Sequence, residues 1–75
     1  MMNNQRITAQ SKANIQAAER AELVTMDDRE TIRLWNGEKS CFVCGKYSVL
    51  LYPTANDARR AIKRIRPDLE LTSFE

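Results

Sequence analysis

The chain has 75 residues, and its 12 lysines and arginines against 10 aspartates and glutamates give a formal net charge of +2. This length allows one domain at most, and so small a net charge neither favours nor excludes a nucleic-acid partner. The sequence contains no histidine, which excludes the commonest general base and a principal zinc ligand.

The sequence shows no targeting or membrane signal. No apolar run is long enough to span a bilayer, and residues 1–6 lack the apolar segment of a signal peptide. We therefore expect no membrane association and a cytoplasmic location, where the two cysteines stay reduced. Residues 1–6 are polar, and we expect them to be flexible.

The first predicted element is a helix over residues 8–24. Thr8 is its expected N-cap, and alanine recurs at every fourth position from Ala9 to Ala21 among strong helix formers. The apolar stripe is narrow, so this helix should pack on one face of a sheet or against another helix. Residues 25–28, Thr-Met-Asp-Asp, form the predicted connector.

Residues 31–52 predict an antiparallel meander of three strands, because β-branched and aromatic residues are frequent there. Asn36-Gly37 is typical of a type I′ hairpin turn. Gly45-Lys46 predicts a second turn in which the glycine takes a left-handed backbone conformation. The strands are expected at about 31–35, 38–44 and 47–52.

Two-residue loops would place Trp35 opposite Glu38 and Cys44 opposite Tyr47. In this register both faces of the sheet carry many apolar side chains, unlike a sheet that has one face in water. A helix or a partner subunit should therefore cover each face. Together with the small size of the chain, this favours a homodimer over a monomer.

A basic amphipathic helix is predicted over residues 55–66. Thr54 is a good N-cap, Asp57 completes an arrangement that resembles a capping box, and Pro67 stops the helix. Apolar residues recur at helical spacing and should form the buried stripe. They are Ala58, Ala61, Ile62 and Ile65.

Residues 67–75 are expected to form a C-terminal tail. This tail would be either a short edge strand or a segment that packs Leu69, Leu71 and Phe74 on the core. The predicted order of elements is α-β-β-β-α, with the helices segregated from an antiparallel sheet. We therefore predict an α+β fold in which residues 1–75 form a single small domain.

The sequence Cys41-Phe-Val-Cys44, followed by Gly45, resembles one knuckle of a zinc ribbon. A closed zinc site needs four ligands, and this chain supplies two thiols and no imidazole. On a regular strand, residues three apart also face opposite sides. We expect structural cysteines with no metal, no cofactor and no intrachain disulfide. A four-thiolate site shared across a dimer and a redox role are the open alternatives.

The predicted C-terminal helix carries the main candidate site. Arg59, Arg60, Lys63 and Arg64 would lie on its exposed side together with Arg66, and no acid interrupts this segment. Guanidinium and ammonium groups at such spacing suit the phosphate oxygens of nucleic acid. The alternative is an ordinary solvated helix face.

A second candidate group lies on the predicted sheet. Arg33, Trp35 and Tyr47 would share one face, and aromatic and basic side chains on strands read nucleic acid in several classes of protein. Anchoring of a protein interface is one alternative. For Trp35 and Tyr47 we instead expect packing in the core beneath the first helix.

Three strands followed by a helix that opens with Thr-x-x-Asp-Ala, from Thr54 to Ala58, resemble the DNA-binding domains of plant ethylene-response factors and the arm-binding domains of integrases. The resemblance covers residues 31–65 and implies a sheet that enters the major groove, supported by the helix on its other face. The additional N-terminal helix departs from this pattern, and Lys39 falls on the wrong face. The matching positions are Arg33, Trp35 and Lys46.

The sequence contains neither a recognisable nucleophile–base pair nor a glycine loop for phosphate, so we do not expect an enzyme. It favours a small regulatory protein that binds the phosphate backbone of nucleic acid through its basic C-terminal helix, with Arg33 as a further contact. The alternative is a protein-binding inhibitor or adaptor of the type found in mobile elements and phages. Such a protein would dock on an acidic protein surface through the same helix, or use an apolar sheet face.

Overall fold

The computed structural model describes residues 6–73 and has an α+β fold. Strands β1, β2 and β3 form an antiparallel meander, and β4 joins the free edge of β1 in parallel, so the sheet order is β3-β2-β1-β4. The predicted order α-β-β-β-α is confirmed and is extended by one edge strand. The elements are α1 (Ala9–Ala17), β1 (Arg20–Met26), β2 (Arg29–Asn36), β3 (Lys39–Phe42), α2 (Ala55–Ile65) and β4 (Leu71–Ser73).

The predicted helix over 8–24 is correct only in its first half. α1 begins after Thr8, whose side chain accepts the N–H of Ser11 at 3.2 Å as the expected N-cap does. The second half forms β1 instead, because Ala21 and Leu23 alternate with less buried neighbours and enter the core. Here a period of two and tertiary packing outweigh the helix propensity of the individual residues.

The supposed connector at 25–28 is a hairpin turn. Asp27 and Asp28 join β1 to β2 with φ values of 53° and 64°, the left-handed geometry of a type I′ turn, which Asp tolerates better than most residues. Met26 pairs with Arg29 directly beside this turn. The interpretation as a helix-to-strand connector was therefore wrong.

The second hairpin lies close to its predicted position. The turn is Gly37-Glu38, one residue later than expected, and Gly37 has the left-handed φ of 65°. Trp35 consequently pairs with Ser40 rather than with Glu38. Because the partner shifts by two positions, every side chain of this hairpin keeps its predicted face.

Residues 47–52, which were predicted as the third strand, do not form a strand. They pair with neighbouring segments through isolated bridges. The chain leaves the sheet after β3 because both backbone polar groups of Cys44 bond to the start of α1. The Cys44 N–H donates to Ser11 Oγ at 2.9 Å, and its carbonyl accepts the Thr8 N–H at 3.2 Å. Gly45 lacks the positive φ that we expected of it.

Both helices lie on one face of the sheet. Ile15 of α1 and Ala58 and Ile62 of α2 pack against Ile32 and Leu34, which share the inner face of β2. The expectation of a cover on each face is therefore correct for the inner face alone within residues 6–73. Among these residues no helix covers the outer face, and the homodimer stays a prediction.

The C-terminal segment contributes to the core and to the sheet. Leu69 is buried and Leu71 begins β4, so of the two alternatives for this tail the structure has the short edge strand, with Leu69 in the core. Phe74 and residues 1–5 lie outside the described residues. In the part of the chain that is described, no helix has the length and apolar composition that crossing a membrane requires.

Arg66 is not part of the exposed basic face, contrary to the sequence interpretation. Its side chain is 19% exposed, and its Nη1 donates to three carbonyl oxygens at 2.9, 3.0 and 3.2 Å. Its Nε and Nη2 donate to the two carboxylate oxygens of Asp68 at 3.1 and 3.0 Å. A guanidinium thus satisfies backbone acceptors that the end of a helix leaves open. The carbonyls belong to Ile15, Gln16 and Ala18.

We predict that Arg66→Ala lowers the melting temperature clearly, because it removes the side-chain donor of the Gln16 and Ala18 carbonyl oxygens and of the Asp68 carboxylate. Arg64→Ala is the matched control, since it removes the same side chain from an exposed position two residues earlier. Thermal unfolding followed by circular dichroism measures both. Equal melting temperatures for the two variants would contradict the structural role of Arg66.

We also predict a dependence on pH. The hydrogen bond from Arg66 lowers the pKa of Asp68 below its usual value of 3.8, so the contribution of this carboxylate to stability is present above that value and is lost as the pH falls through the lowered pKa. The melting temperature of the wild type should therefore exceed that of Asp68→Asn at neutral pH. The two should converge in acid, and a difference that persists in acid would contradict the linkage.

Candidate nucleic-acid interface

Helix α2 presents the predicted cations on one surface, which we call the basic face. The Thr54 side chain caps the helix by accepting the Asp57 N–H at 3.2 Å, and its hydroxyl donates to Asp57 Oδ2 at 3.0 Å. Ala58 and Ile62 are buried and determine which side of the helix faces the sheet. The opposite side therefore faces solvent. The basic face consists of Arg59, Arg60, Lys63 and Arg64.

The basic face is largely uncompensated by acids. Asp57 is the one acid within α2, and its carboxylate is 3.9 Å from Nη1 of Arg60, whose side chain is 77% exposed. Such exposed pairs contribute little and are screened by salt. Lys63 and Arg64 are exposed and form no ion pair within residues 6–73, whereas Arg59 is half-buried. The positive charge of this face is thus available to a ligand.

The structure separates Arg33 from the basic face. On β2, Arg33 alternates with the buried residues Ile32 and Leu34. Its side chain therefore lies on the outer face of the sheet, opposite the layer that contains α2. The five predicted site residues therefore lie on two surfaces, and their role in nucleic-acid binding stays a prediction.

Arg33 belongs instead to a group of planar side chains that crosses the outer face, which we call the stacked row. Its guanidinium carbon is 4.8 Å from the centroid of the Trp35 ring and 5.7 Å from that of Phe42. The guanidinium of Arg20 is 4.5 Å from the same Trp35 centroid. The row consists of Phe42 on β3, Arg33 and Trp35 on β2, and Arg20 on β1.

Hydrogen bonds hold this row in place. The indole Nε1 of Trp35 donates to Glu22 Oε1 at 2.9 Å, and the Nε of Arg33 donates to Ser40 Oγ at 3.2 Å. The sequence interpretation missed Arg20, because residues 20–24 were assigned to a helix. The alternation of Arg20, Glu22 and Val24 with buried residues was the signal that could have identified it.

Tyr47 does not join Trp35. It lies in the turn that follows β3, its side chain is 79% exposed, and Lys46 Nζ is 5.3 Å from its ring centroid. Core packing was therefore wrong for Tyr47. It was also wrong for Trp35, which is half-buried on the open face of the sheet, away from α1.

The two thiols lie in different surroundings. Cys41 is exposed and lines a cleft of about 320 Å³ beside Lys39 and the end of α1. Cys44 is half-buried, and its Sγ–H donates to the Phe42 carbonyl at 3.4 Å. Within residues 6–73 no group of three or more His, Cys, Asp or Glu side chains comes together as a metal site would require.

Comparisons with protein-family models, with curated proteins and with solved structures find no match. None of these comparisons supports the resemblance to ethylene-response-factor and integrase domains. Arg33 and Trp35 share the outer sheet face, and Lys46 lies in a turn, as the resemblance implied. The strands of the meander, however, are not those that the resemblance assumed.

We predict that a soluble alkylating reagent modifies Cys41 before Cys44, because access to a thiol limits its reaction. Mass spectrometry of peptides after a time course of iodoacetamide gives the order. Cys41→Ser should remove the fast phase, and a fast phase that persists in this variant would contradict the assignment.

Proposed function

We propose that this protein is a small, non-enzymatic regulator that binds nucleic acid by placing the basic face of α2 on the phosphate backbone. The observation that carries the proposal is four cations on consecutive turns of one capped helix, with a single acid at its N-terminal end. A buried stripe holds the helix on the sheet, so the cations are presented in a constant orientation.

The spacing of the cations suits a linear polyanion. Residues four apart on a helix are separated by about 6 Å along its axis, so Arg59 and Lys63 form one pair and Arg60 and Arg64 form a parallel one. Guanidinium groups bind phosphate through paired N–H donors, and lysine binds it as a point charge. Contacts of this kind position a protein without reading base sequence.

The test is a salt series of binding to a fluorescent DNA duplex, followed by anisotropy. The logarithm of the affinity should fall linearly with the logarithm of the salt concentration, with a slope of about −0.9 for each neutralised phosphate. Lys63→Ala and Arg64→Ala should each reduce the magnitude of the slope by about one and weaken binding on all sequences alike. Both side chains are exposed, so neither change should disturb folding.

The matched control is Lys12→Ala, which removes one positive charge from an exposed position on α1. It should leave the slope almost unchanged, because Lys12 lies outside the basic face. Loss of slope equal to that of Lys63→Ala would mean that net charge, and not this face, drives binding. Absence of binding to DNA and RNA at about 50 mM salt would overturn the proposal, and would leave an acidic protein surface as the partner of α2.

A further inference from the structure

The stacked row on the outer face of the sheet places two arginines beside aromatic rings. Each of its arginines stacks on Trp35 at 4.5 or 4.8 Å. Stacking holds the planar guanidinium groups while leaving their N–H edges able to donate. The row therefore presents hydrogen-bond donors beside aromatic rings on one face of the sheet.

Within residues 6–73 neither Arg20 nor Arg33 forms a salt bridge. Glu22 is the cross-strand neighbour of Arg33 but does not lie within ion-pair distance of it. Glu22 is the one acid among the strand residues on this face, and it accepts the indole N–H of Trp35. The face is thus complementary to an anion.

The shape of the face selects the kind of anion. An open sheet with planar groups accepts ligands that are themselves flat, and a nucleobase can stack on an aromatic ring or on a guanidinium plane. In a duplex the bases are already stacked on one another, so they cannot lie on such a surface. A single strand presents both unstacked bases and the phosphates that arginine edges bind.

We propose that the stacked row binds a short segment of single-stranded nucleic acid, with bases stacking along the row and phosphates contacting Arg20 and Arg33. The inference rests on the proposed function for its class of ligand. It uses a different surface, because α2 packs on the inner face of the sheet and the row lies on the outer one.

Trp35 is the single tryptophan of the chain, so its fluorescence reports on this face directly. An oligothymidylate of about eight nucleotides, titrated at low salt, should quench that fluorescence to saturation. Arg33→Ala and Arg20→Ala should each raise the dissociation constant by roughly tenfold, in the range found for one lost stacking contact. Arg33→Lys should recover little of the affinity, because lysine keeps the charge but cannot stack as a plane.

Two controls separate the row from general charge and from the helix. Arg29→Ala removes an arginine from the turn end of β2, outside the row, and should leave quenching nearly unchanged. The double variant Lys63→Ala, Arg64→Ala should lose its slope for duplex binding yet retain quenching by the oligonucleotide. Failure of the helix proposal and failure of this inference are thus distinguishable.

A further variant should increase the affinity for the oligonucleotide, and it does not depend on removing a packed side chain. Glu22→Gln keeps an oxygen acceptor for the Trp35 indole but removes the negative charge, so it should tighten binding of the oligonucleotide. Absence of quenching, loss of quenching in the helix double variant, or an equal effect of Arg29→Ala and Arg33→Ala would overturn the inference. Equal quenching by polyglutamate would also overturn it and would indicate an acidic protein partner.

Discussion

The Arg66 guanidinium holds the end of α1 against the end of α2, and the helical layer depends on this contact. α1 has nine residues, of which only Ser11 and Ile15 are buried, and isolated helices of this length are not stable in water. Such a helix persists only if other parts of the chain satisfy its ends. Thr8 does so locally at the beginning, and Arg66 supplies donors at the end from 48 to 51 residues further along the chain.

The fold could be predicted where local signals and tertiary packing agree. α2 has a cap, a period of 3.6 and a terminating proline, and its predicted bounds differ from the real ones by one residue. The segment 20–26 carries residues that favour a helix, but it forms a strand because it pairs with other strands of the sheet. Local helix propensity does not reveal such pairing. The third predicted strand failed because α1 binds the backbone of Cys44, a contact across 33 residues.

The candidate site divides in the same way. The four cations of α2 follow from helical periodicity alone, so the sequence was enough to group them. The partners of Arg33 lie on β2 and β3, which were predicted as strands, whereas Arg20 lies on β1, which was predicted as part of a helix. Arg20 reaches Trp35 only because β1 pairs with β2 in the register that aligns these two residues. The kinds of side chain in the candidate site could be inferred from the sequence, whereas the contacts between them depend on how the strands pair.

The parallel pairing of β4 with β1 also has a consequence for how the chain folds. Ala21 pairs with Leu71, so this contact closes a loop that contains most of the protein. Closing the loop costs conformational entropy before the short strand β4 can form its hydrogen bonds with β1. The β1–β2 and β2–β3 hairpins close over two residues each and can form without the rest. We therefore expect the sheet to grow from its antiparallel centre, and the chain to acquire its last strand only after α2 has returned it to β1.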